Sequence, residues 1–489
     1  MALKTHEQDL LDRVQTGLGI GGTWQPSSSG ATLDVQDPAT GETIKTIADA
    51  TVEDAVRALD AAVAAQDSWA ATSSRARSNI LRRAFDLLME RKEEFALLMS
   101  MEMGKPIAEA RGEVVYGGEF LRWFSEEAVR VRGDFRQNPE GTGNMIVTHL
   151  PVGPTYFITP WNFPLAMATR KIAPALAAGC TVVIKPAALT PLTTIFFVQL
   201  LEEAGLPAGV VNVVPTSKSS AQSSAILSDT RLRKLSFTGS TPVGVKLLEA
   251  AAQNVLRTSM ELGGNAPFVV FEDADLDRAV EGVMLAKFRN IGQACTAANR
   301  IIVHESVADE FARRVGERVA KFTIGRGAEE GNDIGALVDA KAVANTARLV
   351  ADAVDMGANI VTGGEAIDGP GHFFQPTVVD NLSPQAAIMR EEIFGPLLGI
   401  IRFSTEEEAV EIANNTEYGL ISYVFTENIH RGHRMIEKLE TGMMGLNTGL
   451  VSNAAAPFGG LKQSGLGREG GFEGIQEFLS SKYTLLPRS

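Results

Sequence analysis

From residue 154 onward the chain alternates short apolar runs with helical segments, and that alternation limits the folds open to it. PTYFITP reads as a strand, residues 163–178 as a helix, TVVIKP as a strand and residues 190–204 as a helix. VVNVVP and KLSFTG follow as strands, then residues 241–252 as a helix. Strands that are apolar throughout and separated by helices imply a parallel sheet covered on both faces. After MELGGN the pattern repeats: APFVVF as strand, 275–288 as helix, RIIVHE as strand, 307–322 as helix, 324–335 as loop. Helix and strand then alternate again to about residue 447. A chain of 489 residues is too long for one core, so two or three domains are expected.

The N-terminal third reads differently. Residues 20–50 are short strands and turns, with hairpin chemistry at Thr40-Gly41. Thr51 caps a helix whose first turn holds Glu53 and Asp54. A second helix, 74–104, has Ile80, Ala84, Leu87 and Leu88 at helical spacing and stops at Gly104. A third, 107–131, carries Phe120, Trp123 and Phe124, an aromatic stripe that reads as core. Residues 132–144 are polar and Gly-rich, a loop, and MIVTHLPVG is a strand.

Composition excludes several functions. With 45% hydrophobic and 21% charged residues the chain is that of a soluble globular protein. Its net charge of −14, without basic runs, argues against nucleic acid and anionic membranes as partners. The polar N-terminus lacks a signal-peptide core, and no apolar run approaches the ~20 residues of a membrane span. The longest, IAPALAAGCTVVI, is broken by Pro and Gly. Two cysteines in unlike contexts do not make a disulfide framework, so a cytoplasmic location is expected.

Chemistry concentrates in FRNIGQACTAANR. Cys295 lies among Gly292, Ala294, Thr296 and Ala297, side chains small enough for ligands to reach the sulfur from both sides. Arg289, six residues earlier, offers a cation for an anion. On this stretch alone a nucleophile and a buried structural cysteine stand equal. Cys180, opening the run TVVIKP, reads as structural. A thiol needs help to ionise, and none of the six histidines sits in a motif. Glu261, in MELGGNAP, is the better candidate, a carboxylate at a strand end before a glycine turn. The Asn162 amide, in TPWNFP, suits a developing oxyanion. Taken singly, both are more often turn residues. There is no GxGxxG fingerprint, but GSTPVG at a strand-to-helix turn can present amides and the Ser240 hydroxyl to a phosphate.

TPWNFP, KPAALTP, FTGSTPVG, MELGGNAP, GQACTAANR, EEIFGPL and PFGGLKQSGLGREG together resemble the aldehyde dehydrogenase superfamily, in its order and at its spacing, from about Gly19 to KYTLL. The resemblance implies an α/β fold with a Rossmann-like cofactor domain (1–127 and 152–263) and a second α/β catalytic domain (264–462). It also implies a small β oligomerisation element (128–151 and 463–489), hence a homodimer or homotetramer. By resemblance, Cys295 is the nucleophile, Asn162 the oxyanion donor and Glu261 the base that hydrolyses a thioester. Lys185 and Ser240 hold the adenosine ribose and pyrophosphate, Glu392 the nicotinamide ribose with Phe394 beside it, and Trp161, Gly239 and Leu262 line the same site. No metal is implied. NAD-preferring relatives often carry a carboxylate where this chain has Ala188. Its absence admits the 2′-phosphate of NADP, with Lys185, and more speculatively Lys218, as phosphate partners.

Within the superfamily, MATRK, KFRNIGQAC and NTGLVSNAAAPFGGLKQSGLGREGG are similar to the succinate-semialdehyde dehydrogenase branch. That likeness implies a small semialdehyde substrate whose carboxylate meets Arg170, Arg289 and Ser452. Glutarate semialdehyde, or a broader set of aldehydes, is the alternative; a non-catalytic relative is a third reading, opposed by the intact Cys295, Glu261 and Asn162. The family usually has Pro where this chain has Ala336. A redox switch that some members of the branch make with a second cysteine is ruled out by Ala297.

Overall fold

The computed structural model describes residues 3–488. Two sheets dominate it. The first runs, in spatial order, Thr23–Gln25, Leu18–Ile20, Val211–Val213, Val182–Lys185, Thr155–Ile158, Lys234–Thr238, Arg257–Glu261 and Gly465–Leu466. Its five inner strands are parallel, and the pairs at either flank are antiparallel. The inner strands Val211–Val213, Val182–Lys185, Thr155–Ile158 and Lys234–Thr238 are buried along their whole length, as unbroken apolar runs require. The chain enters at Thr155–Ile158, winds outward to Val211–Val213, then returns to place Lys234–Thr238 on the other side. That reversal opens a crevice at the carboxyl ends of the two strands, the usual ligand site of such sheets.

The second sheet runs Asn359–Thr362, Thr377–Asp380, Leu397–Phe403, Ala298–His304, Ala266–Val270, Ile421–Phe425 and Met443–Leu446. All its pairs are parallel except the first. Four residues, Leu262 to Asn265, join the two sheets. The cysteine turn lies at the amino end of Ala298–His304, so it faces the carboxyl ends of the first sheet. A third sheet pairs Asp134–Gln137 and Leu479–Pro487 on either side of Gly143–Pro151. The stretch expected as a loop thus holds a strand, whose partners supply the backbone acceptors its polar sequence hides.

Local chemistry explains most boundaries. Thr51 caps Val52–Ala71 by accepting from the Asp54 N–H, and Asp54 reciprocates. Phe120 and Phe124 are fully buried, and Trp123 donates to the Gly471 carbonyl. The single helix expected over 74–104 is two, Ser74–Glu90 and Lys92–Met103. The break falls at Arg91, and Glu93 and Glu94 then sit in a new first turn, where the helix dipole favours them. The third helix ends at Glu127. Helices Thr5–Arg13 and Ser219–Ser228 went unread, both being short and polar. Among the described residues no helix is long and apolar enough to cross a membrane.

Gly104 ends its helix with φ +90°, and there the loop 324–335 packs backbone against backbone. A Cβ on Gly335 would lie 1.8 Å from the Gly104 carbonyl oxygen. Ala336 is buried at this contact. Gly335→Ala should therefore cost at least about 3 kcal/mol, the upper end of ordinary overpacking, read as a lowered thermal unfolding midpoint. Gly112→Ala, where an added Cβ meets nothing within 4 Å, should leave the midpoint unchanged or raise it.

Candidate active site

The loops at the crevice carry the motifs. Thr155–Ile158 leads into Trp161 and Asn162. The Asn162 carbonyl accepts from Lys105 Nζ at 2.7 Å and from the Asn290 amide at 3.1 Å. Asn162 Nδ2 donates to the Gln293 carbonyl at 3.0 Å, leaving its second N–H free to turn toward an oxyanion. Lys105, fully buried, is ion-paired with Glu113 and lies over the Phe163 ring. Glu113 in turn accepts from the Leu165 and Ala166 N–H groups, where the helix Ala166–Ala178 begins.

The cysteine turn is strained. Helix Leu276–Val283 passes into a π-helical turn, Met284–Phe288, and then into Asn290, Ile291 and Gly292 with φ of 57°, 61° and 72°. For a β-branched residue such as Ile291 that conformation is rare. The turn is held by Gln293 N–H to Asn290 O and Ala297 N–H to Ala294 O, bonds that leave the Cys295 N–H out. Glycine 264 allows the Leu262–Asn265 link to meet it, since a Cβ there would stand 2.8 Å from the Cys295 carbonyl oxygen. Cys295 itself is half-buried, whereas Cys180 is fully buried.

Burial dominates the electrostatics. It pushes the Cys295 thiol up to about 12, with Arg170 pulling the other way and Glu392 and Glu261 adding to the rise. Glu261 is buried with neither carboxyl oxygen hydrogen-bonded; burial first, then Glu469, raise it well above the usual carboxylate range. Glu469 faces the same burial, but Arg170 and Lys171 outweigh it and hold Glu469 low. Phe458 and Glu469 exchange backbone hydrogen bonds, which sets the Phe458 ring 4.1 Å from the Arg170 guanidinium and Glu469 in ion pairs with Arg170 and Lys171.

A second group lines the crevice. Lys185 is buried without a carboxylate partner, and burial lowers it to about 8. Ser240 is exposed at the start of helix Thr241–Ala252, its hydroxyl capping nothing, and Gly239 donates to the Glu261 carbonyl. Leu262 packs where a Cβ on Gly244 would otherwise sit. Ala188 is half-buried nearby in sequence, one turn beyond Lys185. Glu392 accepts from the Gly264 N–H at 3.2 Å, and burial lifts it to about 7 despite that bond and Lys287. The Trp161 and Phe394 rings meet edge to face at 5.4 Å. A buried cation without an anion, an uncommitted hydroxyl at a helix start and a carboxylate tied to a glycine amide are a donor set that fits a dinucleotide.

Arg289 and Ser452 line one cavity of about 200 Å³ with Lys105, Glu109, Tyr116 and Phe163. It is smaller than the roughly 300 Å³ at which drug-sized sites begin, so it suits a short chain. Arg170 does not line that cavity: it lies fully buried on Glu469, with Nη2 lacking a partner.

Residues 24–484 match the aldehyde dehydrogenase family. The chain is 59% identical over 440 residues to a succinate-semialdehyde dehydrogenase of Paenarthrobacter nicotinovorans, covering 90% of this chain and 98% of that one. The chain belongs to the aldehyde dehydrogenase family. A glutarate-semialdehyde dehydrogenase of Pseudomonas putida is 47% identical over 464 residues, 95% of this chain and 96% of that one. A solved structure, an Escherichia coli NADP-dependent enzyme, superposes with a TM-score of 0.97 at 44% identity, covering 99% of this chain and all of that one. As an aldehyde dehydrogenase the protein is an oxidoreductase, and its fold is the family's.

Several members of this aldehyde dehydrogenase's site escape a reading of its sequence. Glu113, Lys171 and Lys287 are ordinary charged residues in helical context and Lys105 lies in a short link between helices; only the folded chain shows them buried. Lys287 is fully buried with Nζ unpartnered, and burial lowers it to about 7 against the pull of Glu392. Glu469 lies in PFGGLKQSGLGREG, where nothing in the sequence points to its role. The thiol positions generate a direct test. Alkylation should add a single label, at Cys295, at a rate rising about tenfold per pH unit between pH 7 and 9 because the thiolate reacts. Mass spectrometry should find Cys180 unlabelled and the Cys295→Ala chain free of label. A pH-independent rate would show a thiol already ionised.

Proposed function

We propose that the protein oxidises succinic semialdehyde to succinate, with NADP preferred over NAD as acceptor. The observation that carries this is the small cavity in which Arg289 and Ser452 stand together, with Arg289 at the head of the turn that ends in Cys295. The 59% identity to a succinate-semialdehyde dehydrogenase supports the four-carbon acid; the glutarate alternative has more distant relatives behind it, 46–47% identical. Residues 1–127 with 152–263 form the dinucleotide-binding domain in this reading, and 264–462 the catalytic domain. Residues 128–151 with 463–489 form the oligomerisation element of a cytoplasmic dimer or tetramer.

The chemistry follows from what the residues can do. Cys295 gives its proton to solvent and its sulfur bonds the aldehyde carbon, breaking the C=O π bond and leaving the negative charge on the thiohemiacetal oxygen. The free N–H of Asn162 and the Cys295 N–H stabilise that oxygen; one such donor is typically worth about 2.7–4 kcal/mol. A nicotinamide held beside Trp161, Leu262 and Phe394 would supply the acceptor for the hydride on that carbon, leaving a thioester to Cys295. Glu261, whose burial gives it a high affinity for a proton, takes one from the water that attacks the thioester. The acid leaves and the thiol is restored. Lys185, Gly239 and Ser240 hold the adenosine side of the cofactor, Glu392 the other ribose, and Trp161, Leu262 and Phe394 flank the ring. Ala188 leaves room and no repelling charge for a 2′-phosphate. Lys185 is its partner, and Lys218, exposed at the start of helix Ser219–Ser228, is a second. The E. coli structure described as NADP dependent supports this choice. Arg170, already paired with Glu469, meets the substrate carboxylate only through its free Nη2.

Initial rates with several aldehydes against NAD and NADP test the whole assignment. Succinic semialdehyde with NADP should give the highest kcat/KM; equal rates with butanal would remove the semialdehyde reading. Arg289→Ala should cut kcat/KM for succinic semialdehyde about tenfold to a hundredfold, the worth of one hydrogen bond to a charged group, and barely change that for butanal. Glu261→Gln should give a burst of reduced cofactor followed by little turnover in single-turnover kinetics. Loss of the burst itself would place Glu261 before the thioester.

A further inference from the structure

Glu109 shares the cavity of Arg289 and belongs to none of the roles above. It sits in the first turn of helix Ile107–Glu127, and its carboxyl accepts from the Asn290 N–H at 2.5 Å. Asn290 directly follows Arg289, so the carboxyl is fixed beside the stem of that arginine. The other charges facing it are few. From the segment before its helix comes Lys105, already committed to Glu113 and to the Asn162 carbonyl. From its own helix comes Glu113, neutralised by Lys105 and by two backbone N–H groups. From the cysteine turn comes Arg289, and from the loop 324–335 comes Asp333. Among the described residues, Arg289 is thus the one uncommitted cation that faces it.

We propose that Glu109 is a specificity-determining residue: its carboxyl and the substrate's carboxylate compete for the Arg289 cavity, so the acidic substrate is bound with Glu109 in its neutral form. This rests on the reading of Arg289 as the carboxylate's partner. Burial raises Glu109 to about 7, with Asp333 adding to the rise, against the Asn290 N–H, Lys105 and Arg289. Below that pH Glu109 is neutral and the Arg289 charge is free for a ligand anion. Above it Glu109 is a carboxylate, and a second anion must bring a proton with it. Linkage makes the effect reciprocal: bound substrate raises the affinity of Glu109 for its proton. A neutral aldehyde feels none of this.

The test is the ratio of kcat/KM for succinic semialdehyde to that for butanal, from pH 6 to 9. Ionisations that act on the chemistry, at Cys295, Glu261, Glu392 or Lys287, are common to both substrates and cancel. In the wild-type enzyme the ratio should fall about tenfold, the equivalent of one unit of coupling, with its midpoint near pH 7. In Glu109→Gln, which keeps an acceptor for the Asn290 N–H, the ratio should stay flat and remain high at pH 9. A flat wild-type ratio above one overturns the role of Glu109 alone. A fall that persists in the variant does the same. A wild-type ratio near one at every pH overturns the carboxylate reading as well. Should the variant fail to fold, succinate binding to the wild-type enzyme by calorimetry, at pH 8 in two buffers of different ionisation enthalpy, gives the same answer. Uptake of roughly 0.4 of a proton is expected, because one unit of coupling takes Glu109 from mostly ionised to about half protonated at pH 8, and none overturns the proposal.

Discussion

Three successive left-handed residues lead into the Cys295 turn, and the site is built around keeping them there. Asn290 and Ile291 each hold a backbone that costs of order 1–3 kcal/mol, so the surroundings must over-determine it. They do so from both sheets. The Asn290 side chain bonds the Asn162 and Gln293 carbonyls, and its N–H bonds Glu109. Gln293 accepts from the Val338 N–H. Gly292 presses so near the Gly395 carbonyl that a Cβ would stand 2.2 Å from it. The direction of the Cys295 sulfur therefore reports on the packing of the whole molecule.

The same crowding excludes water, and its electrical consequences are uneven. Arg170, Lys171 and Glu469 pair with one another, and Lys105 pairs with Glu113. Around these closed sets stand ionisable groups with no opposite charge in contact: Glu261, Glu392, Lys185 and Lys287. Each has its proton affinity moved toward the neutral form by burial. A protein that needed only stability would have replaced such groups with apolar ones. Their concentration at one crevice marks the place where something charged is to be received.

The layout of the sheets was legible because parallel strands are buried on both faces and so read as unbroken apolar runs. PTYFITP, TVVIKP and KLSFTG announced themselves. The break at Arg91 did not, since Glu90, Arg91 and Lys92 are all good helix formers and only the packing of the next helix forces the kink. At the site, Cys295 and Glu261 stood out by their small or glycine neighbours, and Asn162, between Trp161 and Phe163, only through the family resemblance of TPWNFP. Lys105, Glu113 and Glu109 could not, because a charged residue on or beside a helix looks the same whether it meets solvent or a buried partner from 50 to 180 residues away. Cys180 was recognisable as structural from its β-branched company, and it is fully buried against the Phe478 carbonyl. Arg170 was expected beside Arg289; sequence could not show that Glu469, some 300 residues on, would claim it first.

The link from Leu262 to Asn265 also bears on how such a chain can be recombined. It is the shortest passage between the two sheets, and so the obvious seam for a chimera that takes its first sheet from one parent and its second from another. Yet Glu261 abuts one end of it, Gly264 touches the Cys295 carbonyl, Ser464 receives Leu262 N–H and donates to Gly263, and Gly264 supports Glu392. A crossover there would pair the acid of one lineage with the turn, clamp and carboxylate of another. The seam that topology offers is the one that chemistry has already sewn shut, and viable exchange has to carry the link and its contacts together.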